Sequence, residues 1–400
     1  MFLQRKCCFI SVIGIIAEFN PLHSGHKYII DCAKQNGNTV VCVISGNFVQ
    51  RGDTAVIPKQ KRVETALKCG VDIVAELPVI WSMSTAQNFA LGGVWQLYTL
   101  GCDEILFGSE CGDIKALTDC ADILLSDKFA LLVSNEVKSG VTFAVARENA
   151  AVALGVNRTL LSSPNDNLGI EYIIAAKKLN LPIKFRCVKR IGANHDSKTA
   201  QNGFVSSSHL REKLLLGDIG SAEKYMPITA RGIINEDSIS DIKRIENAIL
   251  ASLRVKDETY FSNIADIAEG LDNKLYFSIR VATSLEELYN TIKTKRYTLS
   301  RVRRIVLSAF LGIDKEFFMT TPPYVRVLGF SKSGCDYLSK LSAISPVVLK
   351  VSEIKQLDKT AQKVFSVECK ATDLYSLSLK KPQECGIEYK AKLLKTEDFI

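Results

Sequence analysis

Apolar, β-branched runs recur at 9–17, 39–44, 71–76, 104–107 and 183–188. Between them, at 25–35, 59–69, 85–100 and 168–179, apolar positions repeat at helical spacing. Short apolar runs alternating with longer amphipathic segments predict an α/β fold with a doubly wound parallel sheet. Such sheets bind ligands beyond the carboxyl ends of their strands. From about residue 235 the pattern changes. Helical periodicity dominates through 238–255, 284–292 and 299–311, and short strand-like pieces follow at 324–328 and 346–351. A division is therefore expected near 220–235, after Leu216-Gly217-Asp218. It gives an α/β part over residues 1–225 and a mostly helical part with a small α/β appendix over 226–400.

Length and composition fit two or three ordinary folded domains, because the chain has 400 residues and 47% hydrophobic content. The apolar run at 7–17 follows two basic residues, but no small-residue cleavage site ends it and it is too short to span a bilayer. It reads as a buried first strand, with residues 1–10 partly an N-terminal extension. The twelve cysteines show no Cys-x-x-Cys spacing, so buried free thiols in a reducing cytoplasm are expected. The formal net charge of +8 is unevenly spread: residues 289–350 hold eleven Lys/Arg against three Asp/Glu. Clustering of that kind suits a polyanionic partner.

The strongest chemical signal is Gly14-Ile15-Ile16-Ala17-Glu18-Phe19-Asn20-Pro21-Leu22-His23-Ser24-Gly25-His26. A strand ends, the chain turns at Asn-Pro, and a helix begins near Gly25. Backbone N–H groups at a helix start attract anions, and two imidazoles beside them can donate to phosphate oxygens as charge builds at phosphorus. No third ligand suggests a metal site here. Of the other two histidines, His195 lies in Asn194-His195-Asp196, and His209 lies in Ser206-Ser207-Ser208-His209-Leu210-Arg211. The latter opens a helix with three hydroxyls and an Arg one turn in, which suits nucleotide phosphates or a plain Ser cap. Lys59 and Arg62 follow a Gly-rich loop that with Arg51 could close over substrate; alternatively, Lys59-Gln60-Lys61-Arg62 is only the exposed first turn of a helix. Glu76 reads best as a capping or ion-pairing residue.

The His-x-Gly-His turn after the first strand, with the hydroxyl-rich helix start ending in Arg211, resembles the HIGH nucleotidyltransferase superfamily, which implies a Rossmann-like fold. More narrowly, several blocks resemble the bacterial tRNA(Met) cytidine acetate ligase family. They are Gly14 to His26, Val43-Ile44-Ser45-Gly46-Asn47-Phe48-Val49-Gln50-Arg51-Gly52, Ala75-Glu76-Leu77-Pro78, Phe107-Gly108-Ser109-Glu110, Ser163-Pro164-Asn165, Leu168-Gly169-Ile170-Glu171-Tyr172, Lys293-Thr294-Lys295-Arg296-Tyr297-Thr298 and Tyr324-Val325-Arg326-Val327-Leu328-Gly329-Phe330. The resemblance implies a cytoplasmic ATP-dependent enzyme. It would join acetate and ATP into acetyl-AMP, then acetylate N4 of the wobble cytidine, position 34, of elongator tRNA(Met). It implies ATP contacts from Ile13, Gly14, Ile15, Ile16, Ala17, Glu18, Phe19, Asn20, Pro21, Leu22, His23, Ser24, Gly25, His26, Gly108, Asn165, Arg190, Ile191, Ser206 and Ser208. His23, His26 and Arg211 would carry catalysis, with Mg²⁺ expected beside ATP.

Two departures stand out. The family usually shows Ala-Glu-x-Phe-Ala where this chain has Ala86-Gln87-Asn88-Phe89-Ala90, and the superfamily's Ile-Ser-x-Thr-x-x-Arg is here Val205-Ser206-Ser207-Ser208-His209-Leu210-Arg211. For tRNA, Lys295, Arg296, Arg301 and Arg304 are the candidate phosphate contacts, with Arg303 offset on the helix and Tyr297 a stacking platform for an unpaired base. Three rivals share some of these features. A small-metabolite adenylyltransferase would need little beyond the nucleotide domain. A class I aminoacyl-tRNA synthetase would carry Lys-Met-Ser-Lys-Ser. A non-catalytic tRNA-binding protein would not need the two histidines. No general base for the cytidine amine stands out, and no oligomeric state is implied.

Overall fold

The computed structural model describes residues 11–190, 205–268, 270–294, 297–317 and 321–399. Ten strands appear among these residues, in order: β1 Val12–Ala17, β2 Thr39–Ser45, β3 Phe48–Val49, β4 Asp53–Thr54, β5 Ile73–Leu77, β6 Glu104–Ser109, β7 Lys184–Lys189, β8 Val325–Phe330, β9 Val347–Val348 and β10 Leu394–Lys395. All but β3 and β4 form one sheet, ordered β10-β8-β5-β2-β1-β6-β7, with β9 also on β8. β1 pairs in parallel with β2 and with β6. The strand order thus reverses at β1, and the crevice beyond its carboxyl end is where such sheets take ligands.

Five parallel strands follow the expected alternation. β1 is buried on both faces, as a central parallel strand must be. Ile13 and Ile15 join the core beneath one set of helices, while Val12 and Ile16 join the core on the other face. Gly14 permits close packing on that second face: a Cβ there would lie 2.7 Å from Leu97 of the Ala86–Thr99 helix.

The strands late in the chain differ from expectation. β8 pairs antiparallel with β5, and both β9 and β10 pair with β8. The anticipated α/β appendix therefore extends the N-terminal sheet. Its physical reason is charge as much as pattern, because β8 carries Arg326 to Glu76 on β5. Periodicity also passed over the helices Ile114–Leu125, Asp127–Lys138, Phe143–Ala153, Leu271–Val281 and Lys359–Ser376. The cysteines within the described residues are free thiols, and no described helix is long and apolar enough to cross a membrane.

Candidate active site

A cleft of about 480 Å³ opens beyond the carboxyl end of β1, within the usual size for a small-ligand site. Ile15 to Asn20, His23 and His26 line it, with Phe107 and Gly108 after β6, Asn165, Arg190, Ser206 to Ser208 and Arg211.

His23 is the N-cap of the Ser24–Lys34 helix, one residue earlier than the Gly25 start expected. Its Nδ1 accepts from the Gly25 N–H at 3.0 Å, and the His26 Nδ1 accepts from the His23 N–H at 3.3 Å. Both acceptors face backbone donors, so each ring carries its proton on Nε2. The His23 Nε2 donates to the Ser207 hydroxyl at 3.0 Å. The rings stack, with centroids 4.0 Å apart. Burial, followed by Arg190 and Arg211, pushes the His23 pKa down to about 3; burial and then His23 hold His26 well below the usual imidazole range. Both are neutral hydrogen-bond donors, not imidazolium ions.

The opposite wall is the Ser207–Leu215 helix. Ser206 caps it by accepting from the His209 N–H at 3.3 Å. Arg211 donates to the Asn20 carbonyl at 2.9 Å and the Ser208 hydroxyl at 3.1 Å, joining the histidine turn to this helix. Ser207 was not anticipated as a contact, although it stands in the same hydroxyl run. A third corner joins two sequence blocks. Asn165 donates to Glu110 at 2.6 Å, while Asp166 accepts from the Ser109 hydroxyl at 2.5 Å and the Glu110 N–H at 2.9 Å.

Several expected positions do not line this cleft. Ile13 and Leu22 are core residues, and Gly14 is pressed on Leu97. Pro21 is absent from the lining, and its peptide bond with Asn20 is cis. The Ser24 hydroxyl donates to the Tyr225 carbonyl at 2.9 Å. Gly25 borders a smaller recess beside the cleft with His26 and Arg190. His209 lies outside the lining, and its Nδ1 is buried without a partner among the described residues. Ile191, His195, Lys295 and Arg296 lie outside the described residues.

Lys59 and Arg62 are not an exposed helix turn, because both are fully buried, whereas Arg51 of the loop before them lines the cleft. The Arg62 guanidinium donates to the carbonyls of Glu18 at 2.8 Å, Ser45 at 2.9 Å and Gly46, so it ties together the ends of β1 and β2. Lys59 pairs with Glu76, Glu368 and Glu388. Glu76 is thus an ion-pairing residue. Gln87 donates to Glu171 at 3.0 Å, and Arg147 also holds that carboxylate at 2.7 Å. A glutamate at position 87 would face Glu171 as a like charge, which the amide avoids.

The basic helix Leu299–Leu311 is also turned differently from expectation. Arg304 is buried and faces Asp266 at 3.7 Å, and Arg301 meets the same carboxylate at 3.4 Å. Tyr297 is buried beneath the Arg301 guanidinium, so it is no open stacking platform. Arg303, the offset residue, lines the cleft together with Gln50, Arg51 and Asp53.

The sequence matches the HIGH Nucleotidyl Transferase family over residues 10–389. A tRNA(Met) cytidine acetate ligase of Thermoanaerobacter sp. (strain X514) is 36% identical, covering 96% of this chain and all of that protein. That of Caldanaerobacter subterraneus subsp. tengcongensis is 38% identical over 93% of this chain and 96% of its own length. The chain belongs to the tRNA(Met) cytidine acetate ligase family. The crystal structure of Thermotoga maritima TmcAL (apo, form I) superposes with a TM-score of 0.90 at 31% identity, covering 96% of this chain and 99% of that one. A second structure of that protein, bound with alpha-thio ATP, gives a TM-score of 0.88 at 30% identity over the same shares. The family is therefore one of ATP-binding ligases.

Proposed function

We propose that the chain activates acetate with ATP, giving acetyl-AMP and pyrophosphate, and transfers the acetyl group to N4 of the wobble cytidine, position 34, of elongator tRNA(Met). The observation that carries this reading is the pair of neutral Nε2–H donors on His23 and His26, facing Arg211 and a hydroxyl-rich helix start across one cleft. Attack of acetate on the α-phosphorus builds negative charge on the phosphate oxygens. Fixed donors and guanidinium groups already aimed there stabilise that charge without reorganising. Neutral imidazoles suit the task, since they keep their donors at any working pH and surrender no proton to the leaving pyrophosphate. Gly108, Asn165, Arg190, Ser206 and Ser208 border the same space and supply the remaining ATP contacts.

Mg²⁺ is the expected companion of ATP, carried on the phosphate oxygens. Among the described residues the one cluster of three possible ligands is Glu76, Glu368 and Glu388, and Lys59 and Arg326 already occupy those carboxylates as ion-pair partners. The described lining of the cleft is largely cationic or neutral, with Glu18 and Asp53 as its carboxylates, so the described residues offer no ready cage for the ion.

Residues 1–225 would hold the nucleotide chemistry and residues 226–400 the tRNA, with Lys295, Arg296 and Arg301 meeting phosphates; a cytoplasmic location follows from the substrates. The deciding experiment is incubation with ATP, labelled acetate and total tRNA, followed by nucleoside analysis. Label in N4-acetylcytidine of tRNA(Met) is expected. Adenylate formation from another small acid, with tRNA left unlabelled, would instead make the chain a small-metabolite adenylyltransferase.

A further inference from the structure

Transfer of the acetyl group needs an acceptor for the proton that leaves the cytidine amine. The histidines do not offer one, because each Nδ1 is already engaged by a backbone N–H. At another part of the cleft, two ionisable groups from distant parts of the chain come within electrostatic reach of each other. Asp53 stands on β4, and Arg303 on the Leu299–Leu311 helix; both line the cleft. Gly52 brings the two elements together. Its φ is +73°, and a Cβ there would lie 2.5 Å from the Arg304 nitrogen and 2.7 Å from the Arg303 Cβ. Only glycine permits that approach.

The half-buried Asp53 carboxylate uses Oδ1 to accept from the Thr54 N–H at 2.8 Å. Burial raises its pKa, the Arg303 and Arg211 charges oppose that rise, and Asp241 adds to it. Tyr289 is a further titratable neighbour, and Arg51 lines the same cleft. The Arg303 guanidinium lies over the Tyr289 ring, 5.5 Å from its centroid, and its Nε is buried with no hydrogen-bond partner among the described residues. A buried N–H without an acceptor is uncommon and asks for one. Cytosine presents an amine donor at N4 beside acceptors at N3 and O2. A carboxylate next to a guanidinium is complementary to that edge, whereas uracil would set an oxygen against the carboxylate and an N–H against the guanidinium.

We propose that Asp53 and Arg303 together read the target cytosine, with Asp53 accepting the amine proton during acetyl transfer. This rests on the acetyl-transfer function proposed above. The N4 lone pair attacks the carbonyl carbon of acetyl-AMP and a C–N bond forms. The C–O bond to the phosphate breaks, its electron pair leaves with AMP, and one N4 proton passes to the Asp53 carboxylate. The helix that carries the tRNA candidates thereby contributes a cleft residue of its own.

The test separates the two half-reactions. Adenylation is followed by acetate-dependent ATP–pyrophosphate exchange, and transfer by supplying synthetic acetyl-AMP with tRNA(Met) and measuring N4-acetylcytidine. Asp53→Asn should lower the transfer rate constant at least roughly 100-fold, the usual scale for losing a general base, and far more than it lowers exchange. Asp53→Glu should recover part of the rate. Arg303→Met should raise KM for tRNA and narrow the preference for a wobble cytosine over a wobble uracil. Transfer by Asp53→Asn within threefold of the unmodified protein overturns the proposal, as does an equal loss in both half-reactions. Failure of the unmodified protein to make acetyl-AMP or acetylate tRNA would sink the proposed function instead.

Discussion

At the scale of single residues, the site is built on hydrogen bonds that decide protonation. His23 and His26 each give Nδ1 to a backbone N–H, so each keeps a proton on Nε2 for the cleft. Replacing His26 with alanine removes one such donor, and about 3–4 kcal/mol of transition-state stabilisation is expected to go with it. Acetate-dependent pyrophosphate exchange should fall by two to three orders of magnitude while tRNA affinity changes little; near-normal exchange would end the assignment. The pH dependence has a definite sign. The unfolded His23 takes up a proton near 6.5 and the folded one only near 3. The unfolded state therefore binds more protons in that window, and stability is lost as pH falls through it. His23→Asn should flatten the decline, read from urea midpoints at about pH 5 and 7. Both histidines were legible in the sequence because their spacing brackets a strand-to-helix turn. Lys59 and Arg62 were not. Two cations in a Lys-x-x-Arg pattern look solvated, and what buries Lys59 arrives from Glu368 and Glu388, some 300 residues later.

At the scale of elements, β1, β2, β5 and β6 were legible because short, mainly apolar runs leave a clear pattern, and β7 because Phe185 and Cys187 alternate with charged residues. The β3–β4 hairpin was not, since two-residue strands carry no periodicity. That hairpin nonetheless sets the relation between the cleft and the basic helix. Gly52→Ala places a Cβ against Arg304 and forces alanine into left-handed backbone. A loss of about 1–3 kcal/mol is expected from the strained backbone alone, measured by urea denaturation, with acetyl transfer damaged more than adenylation. An unchanged midpoint would mean that the hairpin does not rest on the helix. The helix itself was read correctly in extent and wrongly in orientation, because Asp266 draws Arg301 and Arg304 together. A set confined to Lys295, Arg296 and Arg301 is therefore the sharper test of tRNA binding. Replacing all three should lower the slope of log affinity against log salt by roughly 0.7 to 0.9 for each phosphate that is no longer neutralised. A slope that does not move would shift attention to Lys184, Lys189 and Arg190 on the far strand.

At the scale of the whole molecule, the segments on either side of residue 225 share one sheet and one buried ion cluster. β8 supplies Arg326, and the later segments supply Glu368 and Glu388 to a buried cluster completed by Lys59 and Glu76. A fragment of residues 1–225 would leave Lys59 and Glu76 without those partners and β5 without β8. Three carboxylates against two cations would leave a buried excess negative charge, and the cluster relieves it by protonation. Burial, then Glu76, pushes Glu368 up to about 8, whereas burial acting on Glu388 is outweighed by Lys59 and Arg326, which hold it near 2. Between about 4.5, where unfolded Glu368 ionises, and about 8, the folded protein therefore binds the extra proton. Stability contributed by that group falls as pH rises through this window and levels off above it. Glu368→Gln keeps an acceptor for the Val79 N–H, which the carboxylate takes at 2.7 Å, and should remove most of the fall. Lys59→Met acts in the opposite sense, leaving Glu76 and Glu388 undercompensated, and should cost about 3–5 kcal/mol. Urea midpoints of the three proteins at about pH 5.5, 7 and 8.5 test both statements. Below about pH 6.5 the slope from His23 runs the other way, so the expected result is read as a difference: Glu368→Gln gains on the unmodified chain as pH rises from about 5.5 to 8.5, and Lys59→Met stays uniformly lower. Parallel series for the unmodified chain and Glu368→Gln would mean that the cluster holds all three carboxylates ionised, with its excess charge neutralised from elsewhere.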